Sequence, residues 1–140
     1  MSVPPDALAL YAAVILLLPM ACFFLSSPVF LLVGLEIPEV TRLLRGMFDG
    51  YFLVVGITGV VATILFAVAG RPVFAVGATI LASVAIAVRR WLLRRMDAGL
   101  LARDAGAPFA VRQLRVVHLN GMMINAVQLA AVVASVPFIV

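Results

Sequence analysis

Four long apolar stretches constrain this chain more than any other feature of its sequence. They cover approximately residues 7–35, 49–69, 73–95 and 108–138. An α-helix needs about 20 mostly apolar residues to cross the roughly 30 Å hydrocarbon core of a bilayer, and each stretch reaches that length. The sequence therefore predicts an all-α integral membrane protein, with one four-helix bundle domain over residues 1–140.

The composition indicates that lipid, rather than water, surrounds the folded chain. Hydrophobic residues make up 66% of the sequence and charged residues 11%, with a mean hydropathy of +1.26. Soluble domains are about half apolar and about a quarter charged, so the polar surface that a water-soluble fold needs is missing. Since Cys22 is the single cysteine, neither an internal disulfide nor a cysteine-based zinc site can form.

The arginines predict the orientation in the membrane. Nine of the ten basic residues fall in the two connections that an even number of spans places on one side, and Arg71 falls on the other. Basic residues concentrate on the cytoplasmic side, so we expect a multi-pass protein of the cell inner (cytoplasmic) membrane with both termini outside. Anionic lipid headgroups on the cytoplasmic side would attract the same arginines, which explains the formal charge of +4 without a nucleic-acid partner.

The first connection, within EIPEVTRLLRGMFDG, has a helical pattern of its own. Its apolar residues recur at helical spacing, at Ile37, Val40, Leu44, Met47 and Phe48. Acidic residues at its start and basic residues near its end suit the helix dipole. We expect a short interfacial amphipathic helix over about residues 36–47, with Gly46 as its stop and Asp49 as the N-cap of the second span. The alternative is a span that ends in a solvated charge cluster.

The last predicted span carries polar side chains in its apolar surroundings. One stripe of this helix contains Arg112, Arg115, His118, Met122, Asn125 and either Gln128 or Leu129. Polar groups are costly against hydrocarbon, so we expect the stripe to face the bundle interior or a water-filled cavity. Two roles remain open. The side chains bond to neighbouring helices or to a carbonyl freed by Pro19 or Pro28, or they line a cytoplasm-open pocket for a small molecule, an ion or a quinone-like ring.

Two further patterns concern packing and the membrane interface. Small residues recur every fourth position, at Ala75, Thr79, Ser83 and Ala87 in the third span and at Ala126, Ala130 and Ala134 in the fourth. Such lines permit close helix approach and predict a compact bundle or an oligomer. Trp91 is flanked by Arg89, Arg90, Arg94 and Arg95, a pattern typical of an interfacial anchor in contact with lipid headgroups.

Enzyme motifs are absent from the sequence, which has no glycine-rich phosphate loop, no helical histidine pair and no nucleophile elbow. We therefore assign no catalytic and no metal-ligating residue. With His118 as the only histidine, ligation of haem b by two histidines of one subunit is impossible. A His118–Met pair, or a histidine shared between subunits, remains the haem alternative.

A family resemblance is carried by two stretches, SPVFLLVGLEIPEVTRLLRGMFDGYF and RVVHLNGMMINAVQL. They resemble a family of four-helix integral membrane proteins of unknown function, which includes an animal transmembrane protein linked to platinum-drug resistance. The shared features are a Pro with a nearby Phe, an aromatic pair, and a His followed seven residues later by Asn, here Pro28, Phe30, Tyr51, Phe52, His118 and Asn125. Where the family commonly has Gly before the Pro, this chain has Ser27. The resemblance implies the topology and no reaction.

These features predict a non-enzymatic membrane protein. We expect an accessory subunit of a membrane complex or a small transport or binding module, working as a homo-oligomer or within a larger membrane complex. The alternative is a membrane redox protein that binds haem b or quinone through His118. The two classes differ in their visible absorption spectra.

Overall fold

The computed structural model describes residues 4–139 and folds each apolar stretch into a long helix. The helices are α1 at Pro5–Ser26, α2 at Val29–Leu32, α3 at Pro38–Val68, α4 at Pro72–Asp104 and α5 at Ala110–Ser135, and a 3₁₀ turn at Val136–Phe138 follows. Residues 4–139 contain no strand. Four of the helices are long and apolar enough to cross a membrane. The predicted all-α chain with four membrane-length helices is therefore confirmed.

The long helices form a ring in chain order. Helix α1 packs against α3 and α5, and α4 packs against the same two helices from the opposite side. Consecutive long helices run antiparallel because α3 and α4 are joined by residues 69–71, and α4 and α5 by residues 105–109. These turns contain Gly70 and Gly106 at φ 70° and 77°, a left-handed backbone in which a Cβ would be strained.

A close backbone contact joins α3 to α4. A Cβ built on Gly59 would lie 2.7 Å from the Cβ of Ala82, so only glycine fits there. The buried alanines of α4 are Ala75, Ala78, Ala82 and Ala85. Of the predicted line on this helix only Ala75 is buried in the bundle, and its other members are exposed. A four-residue repeat drifts about 40° per step around a helix of 3.6 residues per turn, and so leaves the interface.

The predicted interfacial helix is not a separate element, because residues 38–68 form one continuous helix. Gly46 does not end it, and Asp49 lies inside it rather than at an N-cap. Leu44 and Phe48 are buried in the bundle core instead of facing lipid. Their burial offsets the cost of Gly46 in a helix, which is about 1 kcal/mol relative to alanine.

The first span ends earlier than predicted, and the third ends later. Pro28 has no N–H to donate to the carbonyl four residues earlier, so α1 stops at Ser26, and the single turn α2 follows. Pro19, in contrast, lies inside α1. Helix α4 continues to Asp104 because its last turns still pack on α5: Gly99 is buried against Leu114.

Large apolar side chains cover the outside of the bundle. Leu25, Leu32 and Val73 are 77%, 89% and 79% exposed, and such residues occur on all four long helices. Soluble monomers rarely expose a contiguous apolar surface of this extent. The outer surface therefore suits hydrocarbon, in agreement with a multi-pass membrane protein.

Candidate functional site

The buried face of α5 carries three polar side chains, His118, Asn125 and Gln128, which we call the polar row. His118 and Asn125 are fully buried, and Gln128 is 8% exposed. Ten residues of helix separate the two ends of the row, which corresponds to about 15 Å along the helix axis. The row thus occupies a length equal to about half of a hydrocarbon core.

His118 is held at one end of the polar row by the chain segment that follows α1. Its Nε2 lies 2.9 Å from the hydroxyl oxygen of Ser27, which is also fully buried. The rings of Phe30 and Phe48 meet the imidazole nearly edge-on, at centroid distances of 6.2 Å and 5.7 Å. The imidazole is therefore fixed on two sides by aromatic rings and on a third by a hydrogen bond between α5 and the end of α1.

Asn125 joins three helices at the middle of the polar row. Its Nδ2 donates to the carbonyl of Met20 in α1 at 3.3 Å and to the hydroxyl of Tyr51 in α3. The carbonyl that Pro19 leaves without a helical partner is that of Ile15, so the acceptor is not a proline-freed carbonyl. Phe23 stacks on the Tyr51 ring at a centroid distance of 4.0 Å and fixes the phenol in place.

Several polar atoms of the row have no hydrogen-bond partner among residues 4–139. They are His118 Nδ1, Asn125 Oδ1, and both Nε2 and Oε1 of Gln128. An unpaired buried polar group costs about 1–3 kcal/mol. The row is thus held in position by some of its atoms, while the others make no hydrogen bond among residues 4–139.

The predicted stripe on α5 divides into a buried and an exposed part. Arg112 and Arg115 are exposed, and Met122 is half-buried, so the structure does not bring these residues together with the polar row. Three-residue steps turn by about −60° each on an α-helix. Around the helix axis, Arg115 therefore lies about 60° and Arg112 about 120° from His118.

Gly121 lies on the buried face between His118 and Asn125. The Phe48 ring rests on this glycine so closely that a Cβ there would collide with it. Phe48 also contacts Phe23 at a centroid distance of 5.2 Å. Because Gly121 has no side chain, the Phe48 ring can lie against both the His118 imidazole and Phe23, the residue that stacks on Tyr51.

Two shallow grooves on the outer surface reach the neighbourhood of the polar row. One, of about 240 Å³ between α1 and α3, is bordered by Tyr51, Phe23 and Gly50. The other, of about 280 Å³ between α4 and α5, is bordered by Gln128, Val84 and Val127. Both volumes lie below the roughly 300 Å³ at which ligand pockets begin, and the polar atoms of Gln128 and Asn125 lie buried behind the groove walls.

The arginines predicted to contact lipid differ in their surroundings. Arg90, Trp91, Arg94 and Arg95 border one depression on the outside of α4, and the Arg95 guanidinium lies 5.7 Å from the centre of the Trp91 ring. Arg89 instead pairs with Asp49 of α3 at 2.5 Å. It belongs to the helix interface rather than to the depression.

Ion pairs join α3 to α4 at the end of the bundle where Arg89–Arg95 lie. Arg45 makes a two-pronged bond to Asp97, with distances of 2.6 and 3.0 Å. Arg103 donates to the hydroxyl of Thr41 at 2.5 Å and also pairs with Asp104. These contacts explain why the charged part of α3 continues as a helix along α4 instead of lying on the membrane surface.

Sequence reasoning missed the partners of the polar row. Ser27 and Tyr51 were noted as motif positions, and neither was predicted to bond to α5. The available signal was a serine at the end of an apolar span, where nothing nearby requires a hydroxyl.

Residues 4–139 contain no group of three or more His, Cys, Asp or Glu arranged to hold a metal ion. The chain matches no family model, no curated protein and no solved structure.

Proposed function

We propose that this chain is a small multi-pass protein of the cytoplasmic membrane that acts, without catalysis of its own, as a binding or transport module for a small hydrogen-bonding molecule. The observation that carries the proposal is the polar row: buried side chains with four polar atoms unpartnered among residues 4–139. A row that served only to join helices would use these atoms within the chain.

Gln128 differs from Asn125 in its hydrogen bonds. The Asn125 amide donates two bonds to other helices, whereas the Gln128 amide makes no bond to any described residue. A methionine would fill nearly the same volume without a polar group to desolvate. The presence of glutamine is therefore best explained by a bonding partner that is not part of this chain.

The available atoms define the chemistry of that partner. Asn125 Oδ1 accepts a hydrogen bond, and the Gln128 amide both donates and accepts. The polar row contains no carboxylate or guanidinium, so it offers no opposite charge to a buried ion. A neutral, membrane-soluble molecule that carries hydroxyl or carbonyl groups fits best. To reach these buried atoms from the groove beside Gln128 or the groove beside Tyr51, it would displace the side chains that cover them.

Native mass spectrometry of protein purified in mild detergent tests the proposal. We expect a bound small molecule on the wild type that is lost in Gln128→Met. The matched control is Asn120→Leu, which removes an exposed amide from the same helix and should retain the bound mass. A wild type without any bound molecule, or a Gln128→Met variant that keeps it, would contradict the proposal.

A further inference from the structure

Two successive turns of α4 carry an exposed patch, which we call the Trp91 cluster. It consists of Arg90, Trp91, Arg94 and Arg95. They are spaced so that they share one side of the helix, and all four are exposed around one depression that Ala87 also borders. Trp91 is the only tryptophan of the chain. The cluster lies at the end of the apolar part of α4, where a membrane-spanning helix reaches the headgroup region.

The arginines of the Trp91 cluster have no acidic partner among residues 4–139. Four of the acidic side chains in that range are paired, with Arg45, Arg71, Arg89 and Arg103. None of these pairs includes an arginine of the cluster. Like charges four residues apart on a helix destabilise it, so Arg90 and Arg94 together favour a bound anion. Arg89, one residue away, pairs with Asp49 and shows that α4 can satisfy an arginine internally.

An apolar track leads away from the Trp91 cluster along the same side of α4. Val84 and Ile80 precede Trp91 by 7 and 11 residues, so both lie within about 20° of it around the helix, and both are exposed. Eleven residues of helix span about 16 Å, close to the depth of one leaflet. Val84 also borders the groove between α4 and α5. A charged end and an apolar track of leaflet length together match the shape of a phospholipid.

We propose that the Trp91 cluster is a specific binding site for an anionic phospholipid whose headgroup carries two phosphates, as in cardiolipin. Guanidinium groups bind phosphate oxygens with paired hydrogen bonds. Three of them, without an opposing carboxylate, suit more than one phosphate. The Arg95 guanidinium over the Trp91 ring is held in position, and the indole lies at headgroup depth. The acyl chains lie along Val84 and Ile80.

Intrinsic fluorescence tests this site directly because Trp91 is the only fluorescent indole. The full-length protein is placed in nanodiscs of phosphatidylcholine alone, or with added phosphatidylglycerol or cardiolipin. We expect a saturable change in Trp91 emission with cardiolipin, at several-fold lower lipid fraction than with phosphatidylglycerol. An equal response to both anionic lipids, or none to cardiolipin, would overturn the two-phosphate assignment.

Variants and a soluble probe complete the test. In Arg94→Gln and Arg95→Gln we expect cardiolipin binding, counted by native mass spectrometry, to weaken at least about tenfold. The control Arg112→Gln removes an exposed arginine of α5 and should leave binding unchanged. Inorganic phosphate should not reproduce the fluorescence change at millimolar concentration. An equal effect of free phosphate, or an equal loss in Arg112→Gln, would overturn the proposal.

Discussion

Replacement of Gln128 by methionine should make the protein more stable. Both polar atoms of the Gln128 amide are buried without a partner among residues 4–139, so Gln128→Met removes no bond that the structure contains. The two side chains have similar length and flexibility, which keeps the packing and side-chain entropy terms small. Relief of an unsatisfied buried amide is worth about 1–3 kcal/mol, and we expect the free energy of unfolding to rise by that amount.

The measurement is unfolding by sodium dodecyl sulfate in mixed micelles, followed by the loss of helical circular dichroism. Bound small molecules are first removed by prolonged detergent exchange, since a ligand would stabilise the wild type by mass action. Asn125→Leu supplies the contrast: it breaks two interhelical bonds and leaves the Tyr51 hydroxyl unpaired, so it should lower stability by about 1–3 kcal/mol. A Gln128→Met variant less stable than the wild type would refute the reasoning, because Gln128 would then bond within the bundle.

Four other outcomes test the architecture and the haem alternative. Ser27→Ala should lower the free energy of unfolding by about 1 kcal/mol by breaking the bond to His118, whereas Ser26→Ala, which removes only a bond to its own helix, should change it little. Gly59→Ala should cost about 1–3 kcal/mol because its Cβ meets Ala82, while Gly77→Ala, with open space around it, should be neutral or stabilising. Cysteines introduced at the exposed positions Pro4 and Ala105 in a Cys22→Ser background should be labelled from opposite sides, Ala105 from the cytoplasm; labelling of both from one side would contradict the antiparallel arrangement of the spans. The purified protein should show no Soret band, since Ser27 occupies the hydrogen-bonding side of His118 Nε2; a band that disappears in His118→Ala would favour the haem alternative.

The sequence predicted the helices well and their ends poorly. Apolar length and composition are properties of a whole segment, and for that reason they identified the four helices that are long and apolar enough to cross a membrane. A helix end depends on one or two residues and on what packs there. The continuation of α3 through Gly46 and of α4 to Asp104 rests on burial of Leu44 and Gly99 and on the Arg45–Asp97 pair, which are contacts between distant parts of the chain.

The polar row illustrates the same division at the candidate site. A histidine and an asparagine seven residues apart share one helix face, which the sequence alone indicates. The identity of their partners does not follow from any periodicity. Ser27 lies 91 residues before His118, and Tyr51 lies 74 residues before Asn125. Only the ring order of the helices brings these side chains together.

The position of Phe48 has a thermodynamic consequence for His118 and Asn125. Its ring lies against His118, and it also contacts Phe23, which stacks on the Tyr51 that accepts from Asn125. Because Gly121 has no side chain, the Phe48 ring rests directly on the α5 backbone and cannot shift toward α5 without pressing on it. A molecule that displaces Tyr51 therefore also disturbs Phe23 and Phe48, and with them the ring contact of His118. The free energies of perturbing Tyr51 and His118 should therefore be non-additive.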